Sequence, residues 1–293
     1  MSYLSKLSLI SECSSLKEEE CDGYLNSYEQ SINLSKRKSL SCIVWEVIAE
    51  QPIVEAILSE IKACNNDLLA NLDYILWPNA QIEPPKLLVF DMDSTFIQIE
   101  VIDELAKRHG VGDKVSAVTE SAMRGELDFS ESLISRVACL KGLDDSTIDD
   151  IASSLPLSEG VALLVEKCEQ KETKVAIVSG GFTPFVSKLK ESMAIYRVKA
   201  NDLEVKNAML TGRVLGQIVD AKAKATFVNQ LMSELNLKPE QVMAIGDGAN
   251  DLMMMNETGF NLAYRAKPAV QAQAKGRMNI THLNNLIQVF GWD

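Results

Sequence analysis

The chain holds only two histidines in 293 residues, His109 and His282, and neither stands in a recognisable cluster. Phosphohistidine chemistry and serine-hydrolase chemistry both lack their central residue here. Cysteine is scattered: Cys13, Cys21, Cys42, Cys64, Cys139 and Cys168 are irregularly spaced, with no CxxC pair and no catalytic partner beside them. They read as free thiols in a reducing compartment. Positive charge is in deficit, with 29 Lys and Arg against 41 Asp and Glu, a formal net charge of −12. Phosphate backbones and anionic membranes require clustered Lys and Arg, so neither nucleic acid nor membrane is an expected partner. A small anionic substrate stays compatible, because one metal ion and two placed cations reverse the local sign. No apolar run reaches membrane-spanning length, and the opening MSYLSKLSLISECSS lacks the apolar core and cleavage site of a signal peptide. A cytoplasmic protein is expected.

What is present is an ordinary globular composition, 46% hydrophobic and 24% charged. Residues 1–77 are mixed. SCIVWEVIAE and DLLANLDYILW could each bury an apolar face, whereas KEEE (17–20) and KRK (36–38) read as solvated faces. PNAQIEPP (78–85) holds three prolines in eight residues and reads as an extended linker, which puts a boundary near residue 84 between an N-terminal domain (1–83) and a larger one (84–293). From residue 86 strands and helices alternate. KLLVFD, KVAIVS, VMAIGD and FNLAY read as buried strands; EGVALLVEKCEQK, FTPFVSKLKESM, AKATFVNQLMSEL and ANDLMMMNET read as helices. NDLEVKNAMLTGRVLG reads as a hairpin. The pattern predicts an α/β fold with a doubly wound parallel sheet. The helical stretch between the first two strands is too long for a simple crossover and reads as an inserted cap over roughly 101–156.

In an open parallel sheet, ligands bind at the carboxyl ends of the strands. Three strands end in polar signatures: Asp91-Met92-Asp93, Ser179-Gly180-Gly181, and Gly246-Asp247-Gly248-Ala249-Asn250-Asp251. Asp91 and Asp93 stand two apart, and Asp247 would join them from another strand. Each alone reads equally well as a helix-capping aspartate; together at one rim they suit a hard divalent cation. SGGFT supplies a hydroxyl and free backbone N–H groups at a helix N-terminus, which suits an anion or simply a strand–turn–helix. Lys224, in a first helical turn against the dipole, could balance a phosphate, with Lys222 as a competitor; a solvated lysine is the plainer reading. Arg136, on an otherwise apolar helix face, reads alone as a snorkelling arginine.

With DMDSTFIQIEVIDELA, SRVACLKGL, SGGF, DAKAKA and GDGANDLMM in order, residues 86–293 resemble the phosphoserine phosphatases of the haloacid-dehalogenase-like (HAD) superfamily. The resemblance covers about two-thirds of the chain and implies a HAD-like Rossmannoid core. It also implies phosphoserine hydrolysis, the last step of serine biosynthesis, through an aspartyl-phosphate. In that pattern Asp91 is the nucleophile and Asp93 the general acid and base. Mg²⁺ sits on the Asp91 carboxylate, the Asp93 backbone carbonyl and Asp247. Ser179, Gly180 and Lys224 hold phosphate, with Asn250 ordering the site. Glu100 binds the substrate ammonium, Arg136 its carboxylate, and Met123 and Phe129 flank the substrate; without the family, Glu100 reads as a first-turn helix acid and the latter two as core packing. The resemblance further implies an α+β N-terminal domain, ACT-like and regulatory, and a homodimer. Competing readings are another small-phosphomonoester phosphatase, a phosphotransferase acting on phosphohomoserine, and a non-catalytic phospho-amino-acid sensor.

Overall fold

The structure, a computed structural model, describes residues 4–63, 72–77, 79–80 and 83–292. Cys64, the start of DLLANLDYILW, and positions 78, 81 and 82 of the proline-rich stretch lie outside the described residues. The other five cysteines are free thiols.

The N-terminal part runs β1 (Leu4–Glu12), α1 (Ser15–Asn26), β2 (Asn33–Lys38), β3 (Cys42–Glu50), α2 (Gln51–Ala63), β4 (Asp73–Trp77). Its strands pair antiparallel in the order β2-β3-β1-β4, the ferredoxin-like split βαβ arrangement. Strand alternation explains both of its faces. Leu7, Leu9, Trp45 and Val47 bury against Cys21, Leu25, Val54 and Ile57 of the two helices. Ile10, Val44, Ile75 and Trp77 point the other way, into the core of the rest of the chain.

The larger part begins with β5 (Leu87–Phe90) and the turn Met92–Phe96. Four cap helices follow: α3 (Val101–Arg108), α4 (Gly112–Met123), α5 (Phe129–Cys139) and α6 (Ser146–Ala152). Then come α7 (Val161–Gln170), β6 (Lys174–Phe182), α8 (Thr183–Ser192), the hairpin β7 (Arg197–Lys206) and β8 (Met209–Leu215), and α9 (Ala221–Glu234). The chain closes with β9 (Val242–Gly246), α10 (Leu252–Asn256), β10 (Phe260–Tyr264), α11 (Pro268–Gln273), β11 (Gly276–Met278) and α12 (Leu286–Phe290). Strands β11-β10-β9-β5-β6-β7 are parallel, and β5 alternates Leu87 and Val89 toward α9 and α10 with Leu88 and Phe90 toward α7 and α12. The sheet is therefore covered on both faces, as a doubly wound sheet requires. Crossovers leave β5 toward β6 on one side and reach β9 on the other, so the switch point lies at the end of β5.

Two features were not foreseen. Strand β6 does not stop at Ser179 but runs on to Phe182, so the glycine pair ends a strand and the helix starts at Thr183. The N-terminal strands continue the main sheet, because β4 pairs antiparallel with β11 to make one sheet of 11 strands. Trp77 stacks edge-on against Phe260 and Phe290, with centroids 5.1 and 6.3 Å away. Asp73, fully buried, accepts hydrogen bonds from the backbone N–H groups of Asn279, Ile280 and Thr281 and from the Thr281 hydroxyl.

Candidate active site

Apolar pressure drives β5 and β9 into the core, where every residue of both strands is buried. Asp91 and Asp247 follow directly. Lys224 reaches Asp91 from the first turns of α9, whose N-cap Asp220 accepts from the Ala223 N–H at 2.8 Å. The Lys224 side chain is fully buried; its Nζ donates to Asp91 Oδ1 at 2.7 Å and to Asp251 Oδ1 at 2.8 Å. Lys222 is exposed, which resolves the competition between the two lysines.

Asp251 was not singled out beforehand. Its Oδ2 accepts from the N–H groups of Asp247 (3.2 Å) and Gly248 (3.0 Å), so it ties the turn to the lysine. Its signal was the glycine before the turn: a Cβ on Gly246 would lie 2.5 Å from Asp251 Oδ2. Asp91, Asp247 and Asp251 bring carboxylate oxygens within 4.8 Å of one another. Three carboxylates face one ammonium, a local charge of −2. Burial and the Asp251 charge raise Asp91 well above the usual carboxylate range, and burial, Asp251 and Glu100 raise Asp247 to about 6. A donor set of hard oxygens with an unbalanced double negative charge fits a divalent cation.

Asp93 faces elsewhere. Its Oδ1 accepts from the Val101 N–H at 2.9 Å, at the start of α3, and its Oδ2 from the Ser179 hydroxyl at 3.1 Å. Its side chain is not part of the carboxylate cluster. Burial, then the Glu100 charge, push it up to about 7. Ser94 adopts φ +55°, a left-handed conformation costly for serine, and its hydroxyl donates to Glu100 Oε1 at 2.7 Å. Thr95 donates to Asp247 Oδ1 at 3.2 Å.

These groups open on a cavity of about 330 Å³, the size of a small-molecule site. Asp91, Asp93, Asp247, Gly180 and Asn250 line it from the sheet, and Glu100, Phe129 and Arg136 from the cap side. Phe129 and Arg136 stand two turns apart on α5, so one helix face carries both. An Asp128–Glu131 capping box fixes the start of that helix. Arg136 Nε is buried with no hydrogen-bond partner, and burial lowers its pKa, opposed by Asp103, Glu100 and Asp93. Asp103, Thr119 and Lys267 also line the cavity and were not foreseen. Ser179 and Lys224 lie one layer behind, reaching the cavity through Asp93 and Asp91. Met123 is not brought to the site: it ends α4 with 77% of its surface exposed and does not line the cavity.

A parallel sheet with three polar strand ends, a buried lysine between two aspartates and a helical cap defines a class of phosphate-handling hydrolase. Residues 85–259 match the family of haloacid dehalogenase-like hydrolases, and the chain belongs to that family. It is 46% identical over 205 residues to the phosphoserine phosphatase of Idiomarina loihiensis, which covers 70% of this chain and 92% of that protein. It is 38% identical over 272 residues to the phosphoserine phosphatase of Vibrio cholerae, covering 92% and 79%. A solved structure of a probable phosphoserine phosphatase from Vibrio cholerae superposes with a TM-score of 0.79 at 35% identity, covering 98% of this chain and 86% of that one.

Proposed function

We propose that this chain hydrolyses O-phospho-L-serine to L-serine and phosphate, with Asp91 as nucleophile, Asp93 as general acid and base, and Mg²⁺ as the cation. The observation that carries the substrate assignment is the pair Glu100 and Arg136 on one cavity with Asp91. A half-buried arginine whose buried Nε has no partner answers a carboxylate, and the Glu100 carboxylate on the same cavity answers an ammonium. Together they match a zwitterion whose phosphate reaches the strand ends.

Both hydrogen bonds that Asp91 accepts, from the Met92 N–H and Lys224, fall on Oδ1, which leaves Oδ2 for attack on phosphorus. Formation of the Asp91–phosphorus bond breaks the bond from phosphorus to the serine oxygen. Asp93 gives that oxygen its proton, then accepts one from the water that attacks phosphorus and releases Asp91. A pKa near 7 suits a group that must do both at neutral pH. In this reading Lys224 and Ser179, which hold Asp91 and Asp93 from behind the cavity, would stabilise the equatorial phosphate oxygens together with the Gly180 N–H, with Asn250 ordering the turn beside them. Glu100 is steadied by Ser94. Asp91, Asp247 and the Asp93 main-chain carbonyl would hold a divalent cation, which would neutralise charge on the phosphate. The split βαβ order of β1 to β4 is compatible with the ACT-like regulatory domain that the family resemblance implies for residues 1–83.

Phosphate release from a panel of phosphomonoesters, with and without Mg²⁺, tests the assignment. Phosphoserine should outrun an aryl phosphate in kcat/KM, and Asp91→Asn should be inactive. Equal rates on the two esters would remove the substrate claim; native activity in Asp91→Asn would remove the mechanism. Phosphate appearing on added homoserine in place of water would make the chain a phosphotransferase.

A further inference from the structure

Asn201 lies on β7, opposite Phe182 of β6, with 1% of its surface exposed. It does not line the cavity. Its side chain nevertheless meets both chain segments assigned to phosphate. Nδ2 donates to the carbonyl oxygens of Gly180 at 2.8 Å and Gly181 at 3.2 Å. Oδ1 accepts from the Val219 N–H at 2.8 Å, one residue before the N-cap of α9 and five before Lys224.

The reason for a side chain here is a gap in the sheet. The pairing of β6 with β7 slips between Val178 and Phe182, so Gly180 and Gly181 have no paired residue on β7. Buried carbonyls left without donors are costly. The Asn201 amide has two N–H donors and one carbonyl acceptor, and here both ends are in use. Its orientation is therefore fixed: the reversed amide would set oxygen against two carbonyls and N–H against N–H.

A peptide plane points its carbonyl and the next N–H in opposite directions. Holding the Gly180 carbonyl toward Asn201 turns the Gly181 N–H toward Ser179, whose Oγ accepts it at 2.8 Å. The Ser179 hydroxyl then donates to Asp93 Oδ2. There is no slack in this line, because a Cβ on Gly181 would stand 2.6 Å from Asp93 Oδ2 and 3.0 Å from Ser179 Oγ. We propose that Asn201 is a positioning residue: one buried amide sets the spacing between the Ser179–Gly181 strand end and the helix of Lys224, and so the width of the phosphate cradle.

This inference rests on the reading that Ser179, Gly180 and Lys224 hold phosphate. Its test separates the two ends of the substrate. Inhibition by inorganic phosphate and by L-serine is measured on the full chain with Mg²⁺, for the native protein, Asn201→Ala and Asn201→Asp, beside kcat and KM for phosphoserine. Both variants should lose about 10- to 100-fold in kcat, the scale of a misplacement near 1 Å, and bind phosphate about 10-fold more weakly, with serine inhibition within about twofold of native. Asn201→Asp, which keeps the shape but loses the donors, should be no better than Asn201→Ala. Unchanged phosphate inhibition, or equal loss for phosphate and serine, would overturn the proposal. If Asn201→Ala does not fold, Asn201→Ser is judged by the same ratio of phosphate to serine. A native protein that phosphate does not inhibit would overturn the cradle reading itself, a different result from an unchanged ratio in the variants.

Discussion

Two aspartates, two residues apart, end up in opposite electrostatic company. Asp91 meets an ammonium and two carboxylates; Asp93 meets a hydroxyl, a helix N-terminus and Glu100. The division predicts how Asp93→Asn behaves. A general acid matters most when the leaving group is a poor one, so the variant should lose about 10²- to 10⁴-fold on phosphoserine and far less in the first step on an aryl phosphate. Burst kinetics with the aryl ester check this; equal losses in the first step would remove the acid role. Divalent-ion affinity should be near native, because the Asp93 side chain lies outside the carboxylate cluster. Arg136 has the complementary prediction. Its lost charge-assisted bonds are worth about 1.5–3 kcal/mol, so Arg136→Ala should raise KM for phosphoserine by about 10- to 100-fold while leaving an ester without a carboxylate nearly unaffected. Legibility at this scale followed chain locality. Asp91, Asp93 and Asp247 stand at the ends of apolar strand runs and are visible in sequence. Asp251 is hidden because it works through backbone N–H groups of its own turn, and Asn201 because a lone polar residue in an alternating strand looks like the solvent side. Met123 shows the reverse error: motif position placed it at the substrate, but nothing in the sequence sets the distance of α4 from the sheet.

From residue 86 onward, elements were legible where burial imposed a period; in residues 1–77, whose sequence reads as mixed, the buried strands β1 and β3 were not legible as strands. The four strands read from residue 86 onward are buried on both faces and have no competing pattern. The NDLEVKNAMLTGRVLG hairpin likewise stands as β7 and β8. The failure came at β11, three residues long, too short for any period to register. That strand is nevertheless the joint between the two parts of the chain. Gly276 suits it because its Cα faces Leu262, the Asn261 carbonyl and Ile75, with 3.0–3.3 Å left for a Cβ. Beside it, Asp73 satisfies three backbone N–H groups of residues 279–281, and Trp77 fills the space against Phe260. Trp77→Ala should therefore cost about 3–5 kcal/mol, as large-to-small changes of buried aromatics do. Chemical denaturation of the full chain reads this directly. The cost should appear in one cooperative transition, since the Trp77 face belongs to the same apolar core as β5 and α12. A separate early transition, with the larger part left intact, would show that the joint is dispensable.

Across the whole molecule, the fold concentrates negative charge at the point where it is least solvated. The chain carries a formal net charge of −12, and the strand ends of β5 and β9 hold Asp91, Asp247 and Asp251 around a single Lys224. Close carboxylates in a desolvated site repel, and one ammonium cannot balance three of them. The ion-free chain thus carries a destabilising charge cluster that a divalent ion would relieve, and the relief is measurable without any turnover. At a concentration of 100 times its dissociation constant, an ion that binds only the folded chain adds about 2.7 kcal/mol of stability. For a domain of this size that corresponds to a rise in Tm of about 5–10 °C. Mg²⁺ added to chelator-treated protein should produce this rise together with activity. Asp247→Asn removes one of the repelling charges and one donor at once, so two effects should separate. The ion-free variant should melt at or above the ion-free native chain, and Mg²⁺ should then add little. Thermal melts of both proteins across a Mg²⁺ titration decide the matter. A variant that melts well below native without Mg²⁺ would mean that Asp247 is held by favourable contacts, such as its bond from Thr95, and not against repulsion. An undiminished Mg²⁺ increment in the variant would place the ion elsewhere, because a site built on the Asp91–Asp247 pair does not survive the loss of one carboxylate charge.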